Sequence, residues 1–135
     1  MPILEFEKEA EDELDALYEA DADSAALIDA VIEQLEDSPK LLESLCIEGS
    51  HLNRKPSFEV KRFQELWRNK YTIYFLKITP EDGPAIGYRV LYGHHPQKDI
   101  YHILAIMARE INYESDHPLI QRICNAYENL GIPRY

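Results

Sequence analysis

The hydrophobic period of the sequence changes near residue 57, and this change constrains the fold more than any other feature. Before it, apolar side chains recur at helical spacing, as in Ala10, Leu14 and Leu17. After it, they stand in short runs rich in β-branched and aromatic residues, separated by turn-forming segments. Helices followed by a run of strands are typical of the α+β class. We expect an N-terminal helical hairpin packed on one face of a curved antiparallel sheet, with the other face open.

The helical half of the chain predicts two amphipathic helices joined by a short connector. The first helix is expected over residues 7–19, and the second after residues 21–24, with Ser24 or Asp23 as its N-cap. Its apolar face continues at helical spacing until Pro39, which ends the helix because proline cannot continue the hydrogen-bond ladder. Two such helices in sequence predict an antiparallel hairpin.

The second half of the chain predicts an antiparallel meander and a last helix. Short connections, such as the turn-forming residues 80–84, join successive strands, and the polar stretch 48–57 is expected to be a loop. Ser115 or Asp116 is expected to cap the last helix, with Pro118 inside its first turn. Strands are expected over residues 3–6, 58–63, 71–78, 87–92 and 100–107, the first of them at a sheet edge.

Length and composition bound the class of protein. The 135 residues fit one domain, 1–135, of ordinary globular composition. No apolar run approaches the roughly 18 residues of a membrane span, and the N-terminus lacks the pattern of a secretory signal. Cys46 and Cys124 stand among apolar residues without metal-site spacing, so we expect two unbridged thiols. These features favour the cytoplasm.

The net charge of −11 is unevenly distributed along the chain. Residues 1–50 hold 16 acidic and two basic residues, whereas residues 51–135 hold nine acidic residues, 12 basic residues and all five histidines. Acidic helix faces are often no more than solvated surface. The alternative is that the acidic half turns away from nucleic acid or meets a basic partner, while the basic half meets phosphate.

Two arginines stand in otherwise apolar strands. Arg89 shares a strand face with Leu91, and Arg109 ends the next strand, with Tyr113 four residues further on. An arginine in such a strand must be ion-paired, exposed at an edge or bound to an anion. An ion pair for Arg89, a solvated side chain for Arg109 and a packing role for Tyr113 are the alternatives to a function. Together at one sheet end, the three side chains could hold a phosphate and transfer a proton.

The sequence resembles the RelE/ParE/HigB superfamily of bacterial toxin–antitoxin proteins. The resemblance is carried by the segment YRVLY at residues 88–92, by a following strand that ends in Ala108, Arg109 and Glu110, and by Tyr113. It spans nearly the whole chain, with a short first strand, a helical hairpin and an antiparallel sheet. It implies a RelE-like fold and a cytoplasmic toxin held silent by a cognate antitoxin protein, without membrane association. Whether the protein forms a homo-oligomer is left open.

For RelE-like members, the resemblance implies cleavage of messenger RNA at the ribosome, without a metal or other cofactor. The RNA 2′-hydroxyl attacks the adjacent phosphorus, so the protein must help remove a proton, stabilise the added negative charge and protonate the leaving oxygen. Arg89 matches the family's strand arginine, and Arg109 matches the arginine that ends the last strand. Tyr113 matches a nearby tyrosine that stacks on a base or assists proton transfer. These three are the catalytic candidates.

Lysines provide a second comparison with the family. Its members often carry lysines that alternate along the strand before YRVLY, where this chain has Thr72 and Tyr74. Four basic residues could replace them and are the RNA-binding candidates: Lys61, Arg62, Lys70 and Lys77.

Other functions stay open at this point. A ParE-like inhibitor of DNA gyrase would need no RNA chemistry, and a non-catalytic family member would act only by protein binding through the acidic hairpin. A metal site among His94, His95, His102 and Asp99 is disfavoured, because the sequence lacks HExxH and any Cys/His pair at zinc spacing. One of these histidines could instead serve as a general base near neutral pH.

Overall fold

The computed structural model describes residues 2–50, 57–109 and 117–134, and it confirms the α+β class. The strands are β1 (Ile3–Phe6), β2 (Gly49–Ser50), β3 (Ser57–Arg62), β4 (Ile73–Thr79), β5 (Tyr88–His95) and β6 (Ile100–Ala108). The helices are α1 (Lys8–Ala20), α2 (Ala22–Asp37), α3 (Pro39–Glu43), α4 (Gln64–Arg68) and α5 (Pro118–Asn129), with a 3₁₀ turn at Ser44–Cys46. The strands form one sheet in the order β1–β6–β5–β4–β3–β2.

The sheet is the predicted antiparallel meander with one parallel strand added at an edge. β3, β4, β5 and β6 pair antiparallel in sequence order, as expected for strands joined by short connections. β1 pairs parallel with β6, and it lies at the edge of the sheet as the sequence predicts. β1 and β6 are not joined by a turn. The parallel direction of β1 is therefore set only by the path of the chain between the two strands.

Both faces of the sheet carry helices. On one face, here called the hairpin face, Val90 and Tyr92 of β5 belong to the same apolar cluster as Ile28 of α2. On the other, here called the α5 face, Leu91 of β5 clusters with Ile123 of α5. The expectation of a single covered face is therefore wrong, because α5 also has a buried apolar stripe that needs a partner. Burial on both faces explains why the central strands are apolar almost throughout.

A β-bulge in β6 shifts the alternation of its side chains. Leu91 pairs with Ala105 and Tyr92 pairs with Ile103, so Leu104 is an extra residue on β6. As a result Leu104 and Ala105 both lie on the α5 face, while Ile103 lies on the hairpin face. Every residue after the bulge points to the face opposite to the one that simple alternation from Ile103 would give it.

The carboxylate of Glu13 on α1 stabilises the backbone next to the bulge. The Ile106 N–H donates a hydrogen bond to Glu13 Oε1 at 3.0 Å. The same oxygen lies 3.2 Å from Arg122 Nη2 on α5, and Arg122 Nε lies 2.8 Å from Glu9 Oε2 on α1. Glu13 therefore links both helices to β6 and supplies an acceptor to an amide near the bulge.

The two helices of the hairpin are joined more tightly than the sequence predicts. Only Asp21 separates α1 from α2, so residues 22–24 are the first turn of α2 instead of a connector. Asp21 is the N-cap: its Oδ1 accepts from the Ser24 N–H at 3.2 Å, and its Oδ2 accepts from Ser24 Oγ at 2.8 Å. The assignment of Ser24 or Asp23 as the cap is therefore wrong, because the Asp21 carboxylate accepts both hydrogen bonds from Ser24 in the first turn.

Three short features also differ from the sequence prediction. β2 pairs with β3 inside the predicted loop, and α4 forms directly after β3. Both are too short to show a hydrophobic period. His117 caps α5, with its ring Nδ1 accepting from the Leu119 N–H at 3.1 Å. It replaces the predicted Ser115 or Asp116, which lie outside the described residues.

A glycine lets α5 lie directly against β5. A Cβ atom at Gly93 would lie 3.3 Å from Ile132 Cδ1 and 3.4 Å from the ring of Tyr127. The buried Tyr127 hydroxyl donates to the Pro133 carbonyl at 2.6 Å and lies 2.8 Å from Thr72 Oγ1. These contacts fix α5 against the end of the sheet where β5 carries Gly93.

We predict that Asp21 contributes more to stability than the neighbouring Asp23. Asp21→Ala should lower the free energy of unfolding by about 1 kcal/mol, because it removes the side-chain acceptors of the N-cap. Asp23→Ala, the matched control in an exposed position of the same helix turn, should change it by less than about 0.5 kcal/mol. Urea denaturation followed by circular dichroism measures both. Equal losses for the two variants would contradict the capping role of Asp21.

We predict a larger loss for Glu13. Glu13→Ala should lower the free energy of unfolding by about 2 kcal/mol, because the Ile106 N–H then lacks its acceptor in a largely buried place. Glu9→Ala also removes an ion pair with Arg122 but leaves that amide satisfied, so it should cost no more than about 0.5 kcal/mol. The same urea titration measures this difference, and a Glu9 loss as large as that of Glu13 would refute it.

Candidate nucleic-acid interface

Arg89 lies on the α5 face of the sheet, together with Leu91 as strand alternation predicts. Its neighbours Tyr88 and Val90 pack on the hairpin face. The Arg89 guanidinium carbon lies 4.4 Å from the centroid of the Phe75 ring on β4. A guanidinium is attracted to the face of an aromatic ring, so this contact orients the Arg89 side chain.

Two lysines lie beside Arg89 on the same face. Lys77 on β4 is its direct cross-strand partner. Lys61 on β3 is the cross-strand partner of Phe75, whose ring Arg89 covers. Directly opposed side chains in an antiparallel pair have Cβ atoms about 5 Å apart, so Lys77 is a close neighbour of Arg89. Lys61 lies diagonally from Lys77 and two strands away from Arg89.

Arg109 completes the group. Arg89 pairs with Met107 on β6, and Arg109 follows Met107 by two residues. The ladder continues to this position, since the Arg109 N–H donates to the Gly87 carbonyl at 2.7 Å. Residues two apart on a strand share a face, so Arg109 lies diagonally from Arg89 on the α5 face. We call Lys61, Lys77, Arg89 and Arg109 the basic patch.

The charges of the basic patch are only partly balanced. Within residues 2–50, 57–109 and 117–134, no carboxylate forms an ion pair with Lys61, Lys77 or Arg109. Glu59 is the cross-strand partner of Lys77 on the side away from Arg89. Like charges directly opposed in a sheet are destabilising, as for Lys77 and Arg89.

A cleft of about 300 Å³ opens next to Arg89. Phe75 and Phe63 form its apolar wall, with their rings edge to face at 6.4 Å between centroids. Gln64 and Glu65 add polar atoms at its rim. Both rings are buried and the Arg89 guanidinium covers the face of Phe75, so the cleft offers an apolar wall beside a cation and not an open ring face.

The other two RNA-binding candidates lie elsewhere. Arg62 follows Lys61 on β3 and points the opposite way: its guanidinium lies 4.4 Å from the Trp67 ring centroid, and its Nε lies 3.1 Å from Glu48 Oε1. The residue itself still borders the cleft. Lys70 precedes β4, at the end of the sheet away from Lys77. The structure therefore brings together two of the four candidates, Lys61 and Lys77.

Two of the three catalytic candidates lie within the described residues. Arg89 and Arg109 share a face, as described above, whereas Tyr113 lies outside the described residues. Thr72 and Tyr74, where family lysines were expected, do not belong to the patch. Tyr74 packs on the hairpin face against Tyr92, with ring centroids 5.6 Å apart, and burial raises its pKa to about 12. The alternation of side chains along β4 explains why Tyr74 is not in the patch and Lys77 is. Tyr74 points to the hairpin face, and Lys77, three residues later, points to the α5 face.

The acidic residues of the hairpin lie on the other side of the sheet. α1 and α2 together carry 11 of the 25 Asp and Glu residues, and both pack on the hairpin face. Apart from Glu9 and Glu13, which pair with Arg122 on α5, these acids are separated from the basic patch by the sheet. Charge separation by the fold offsets part of the repulsion that a net charge of −11 would exert on a polyanion.

The histidines considered for a metal site are not gathered in one place. His94 Nε2 lies 2.9 Å from Asp99 Oδ1, while His102 Nδ1 lies 3.1 Å from Glu7 and 3.6 Å from Glu5. Ligand atoms of Glu5, Glu7 and His102 lie within 4.8 Å of one another, so these three could hold a cation. The carboxylate of Glu7 is equally well explained as a hydrogen-bond partner of the buried His102 ring.

Comparisons with protein-family models, with curated proteins and with solved structures found no match to this chain. Among the helices that the structure describes, none is long and apolar enough to cross a membrane.

We predict that the basic patch binds single-stranded RNA with a salt dependence set by its four cations. For single strands, the slope of log K against log salt concentration is about −0.7 per phosphate neutralised, so four contacts give about −3. Arg89→Ala with Arg109→Ala should reduce the magnitude to about 1.4. Fluorescence anisotropy with a labelled oligonucleotide at several salt concentrations measures the slope.

A charge-matched control distinguishes the patch from net charge. Lys70→Asn with Lys98→Ala removes two cations at the opposite end of the sheet, and asparagine tolerates the positive φ of 68° at residue 70. This control should keep the slope of the unchanged protein. If both double variants reduce the magnitude of the salt-dependence slope equally, the basic patch is not the binding site.

Proposed function

We propose that this protein is a RelE-like toxin component of a bacterial toxin–antitoxin system, a metal-independent endoribonuclease that cleaves messenger RNA. The observation that carries the proposal is the placement of Arg89 and Arg109 diagonally on one sheet face, with Lys61 and Lys77 beside them. Two of these residues are the arginines that the family resemblance assigns to catalysis. The fold, a helical hairpin on one face of an α+β sheet, agrees with the same resemblance.

The proposed reaction is a transesterification within the RNA. The 2′-hydroxyl attacks the adjacent phosphorus, the bond to the 5′-oxygen of the next nucleotide breaks, and a 2′,3′-cyclic phosphate forms. Negative charge grows on the non-bridging phosphate oxygens during this step. Arginine suits the stabilising role, because its planar fork can hold two phosphate oxygens at once. In this proposal Arg89 and Arg109 hold the reacting phosphate.

The remaining residues of the patch position the RNA. Lys61 and Lys77 contact flanking phosphates as point charges. The cleft walled by Phe75 and Phe63 gives apolar contact to the nucleotide next to the reacting phosphate. Tyr113 is the candidate for proton transfer, a role that rests on the family resemblance alone. The proposed partners are the ribosome with its message and an antitoxin protein that blocks the patch.

The proposal predicts growth arrest that depends on the two arginines. Induced expression of the unchanged protein in a bacterial host should stop growth, and Arg89→Ala with Arg109→Ala should restore it, because charge stabilisation of the transition state is lost. Removing one such donor typically costs a factor of about 100 or more in rate. Colony counts after induction measure the effect, and circular dichroism confirms that the variant is folded.

The control and the readout of RNA ends make this test specific. The Lys70→Asn, Lys98→Ala variant should still arrest growth. Cleaved message should carry 2′,3′-cyclic phosphate and 5′-hydroxyl ends. A double arginine variant that arrests growth as strongly as the unchanged protein would refute the mechanism.

Two outcomes would favour the other functions. Arrest with intact message and blocked DNA supercoiling would support a gyrase inhibitor of the ParE kind. Harmless expression of the folded, unchanged protein would support a non-catalytic role in protein binding.

A further inference from the structure

A cysteine, a histidine and an aspartate lie together on the hairpin side of the molecule, away from the basic patch. Cys46 ends the 3₁₀ turn at Ser44–Cys46, whereas His94 and Asp99 flank the turn between β5 and β6. His94 Nε2 lies 2.9 Å from Asp99 Oδ1. Cys46 is 48 residues from His94 in sequence, so only the folded chain brings the three side chains together.

Tyr101 places the Cys46 thiol next to the His94 ring. The Sγ atom of Cys46 lies 3.5 Å from the hydroxyl oxygen of Tyr101, and Cys46 and His94 line the same cleft. The His94 ring stacks on the Tyr101 ring, with centroids 4.2 Å apart and planes 27° apart. Because Nε2 of His94 faces Asp99, the ring nitrogen left for Cys46 is Nδ1. This is the order thiol, imidazole, carboxylate that activates a cysteine nucleophile.

The electrostatics agree with this geometry. Burial opposes ionisation of Cys46, but the hydrogen bonds with His94 and Tyr101 outweigh it and lower the pKa of the thiol. The hydrogen bond with Cys46 raises the pKa of His94; burial opposes this rise and Asp99 adds to it. Both shifts favour a thiolate paired with an imidazolium. Other titratable or charged groups around the cluster are Glu43, Glu48, Arg62, Tyr74 and Tyr101.

The second cysteine provides a contrast within the same protein. Cys124 on α5 is half-buried, as Cys46 is, and neither is in a disulfide. Burial raises the pKa of the Cys124 thiol to about 11. The two thiols are similarly exposed, but their pKa values shift in opposite directions. A difference in their reactivity would therefore reflect the pKa and not access to solvent.

A cleft of about 320 Å³ gives small molecules access to the thiol. It is lined by Cys46, Trp67, Thr72, Tyr74, His94 and Pro96. Its walls are largely aromatic and apolar, which favours an uncharged molecule. The nearby Arg62 is occupied by Glu48 and by the Trp67 ring.

We infer that Cys46, His94 and Asp99 form a thiol site that reacts with uncharged hydroperoxides. The thiolate attacks one peroxide oxygen, an S–O bond forms and the O–O bond breaks. The departing oxygen takes the proton of the His94 imidazolium and leaves as water or an alcohol. Sulfur is oxidised by two electrons to sulfenic acid, and the peroxide is reduced. Asp99 acts as a positioning residue that orients the His94 ring.

Chemistry favours a peroxide over an acyl or phosphoryl substrate. Those substrates develop charge on an oxygen that remains attached, and they need preorganised donors for it. In the peroxide reaction the charge develops on the departing oxygen, and one proton neutralises it. The cluster supplies that proton donor in His94.

The test compares the two cysteines in the intact, purified protein. Hydrogen peroxide is added at pH 7 with dimedone, which traps sulfenic acid, and each cysteine is followed by peptide mass spectrometry. Cys46 should react at least about 10-fold faster than Cys124, because its pKa is lowered while that of Cys124 is raised, and the lower nucleophilicity of a low-pKa thiolate offsets part of the gain in thiolate. His94→Gln should slow Cys46 by at least about 10-fold and leave Cys124 unchanged.

A second measurement separates activation from packing. Alkylation by iodoacetamide, which is uncharged, is followed against pH for the unchanged protein and for Asp99→Asn, which nearly preserves shape. The midpoint for Cys46 should lie below the value of about 8.5 for an ordinary thiol and should move upward in both the Asp99→Asn and His94→Gln variants. Cys46 is alkylated at pH values above the midpoint, where the thiolate predominates, and loses this reactivity at lower pH. Equal rates for the two cysteines, or an unmoved midpoint in both variants, would overturn the proposal.

Discussion

The structure depends on how the bulge in β6 is accommodated. The extra residue disrupts the ladder locally. Because β1 ends opposite Ile103, the Ile106 N–H has no strand partner on that side and donates to a side-chain acceptor. Glu13 provides that acceptor and at the same time pairs with Arg122, so one carboxylate fixes α1, β6 and α5 to each other. The apolar run of β6 is buried against helices on both faces around this point. Removing the acceptor would therefore affect both layers of the core.

Burial on both faces also separates the two candidate sites. The basic patch lies on the α5 face near the start of β5, and the thiol cluster lies on the hairpin side at the other end of that strand. Each site uses residues from at least three elements, positioned by the register of the sheet. Arg89 and His94 are five residues apart on β5, roughly 17 Å along the strand, which exceeds the Debye length of about 10 Å, so the charges of one site have little influence on the other.

Local patterns predicted much of the fold. The helices at residues 7–35, the strands of the meander and the last helix follow from hydrophobic period and turn residues, and Arg89 shares a face with Leu91 as alternation requires. Features without a period were not predictable: α4, β2, the Asp21 cap and the parallel pairing of β1. The basic patch needed the strand register, which showed Lys77 to be in it and Tyr74 not. The Cys46–His94 contact links distant parts of the chain, and no spacing rule indicates it.

The bulge at Leu104 has a consequence for how the charge pattern is encoded. Arg109 lies on the same face as Arg89 because one additional residue precedes it in β6; without that residue it would lie among the helices of the hairpin. Arg89 and Arg109 thus share a face because of the number of residues in β6, and not because of which residues they are. A single-residue deletion in this strand would separate them without altering either, so a comparison of aligned side chains alone would overlook the change.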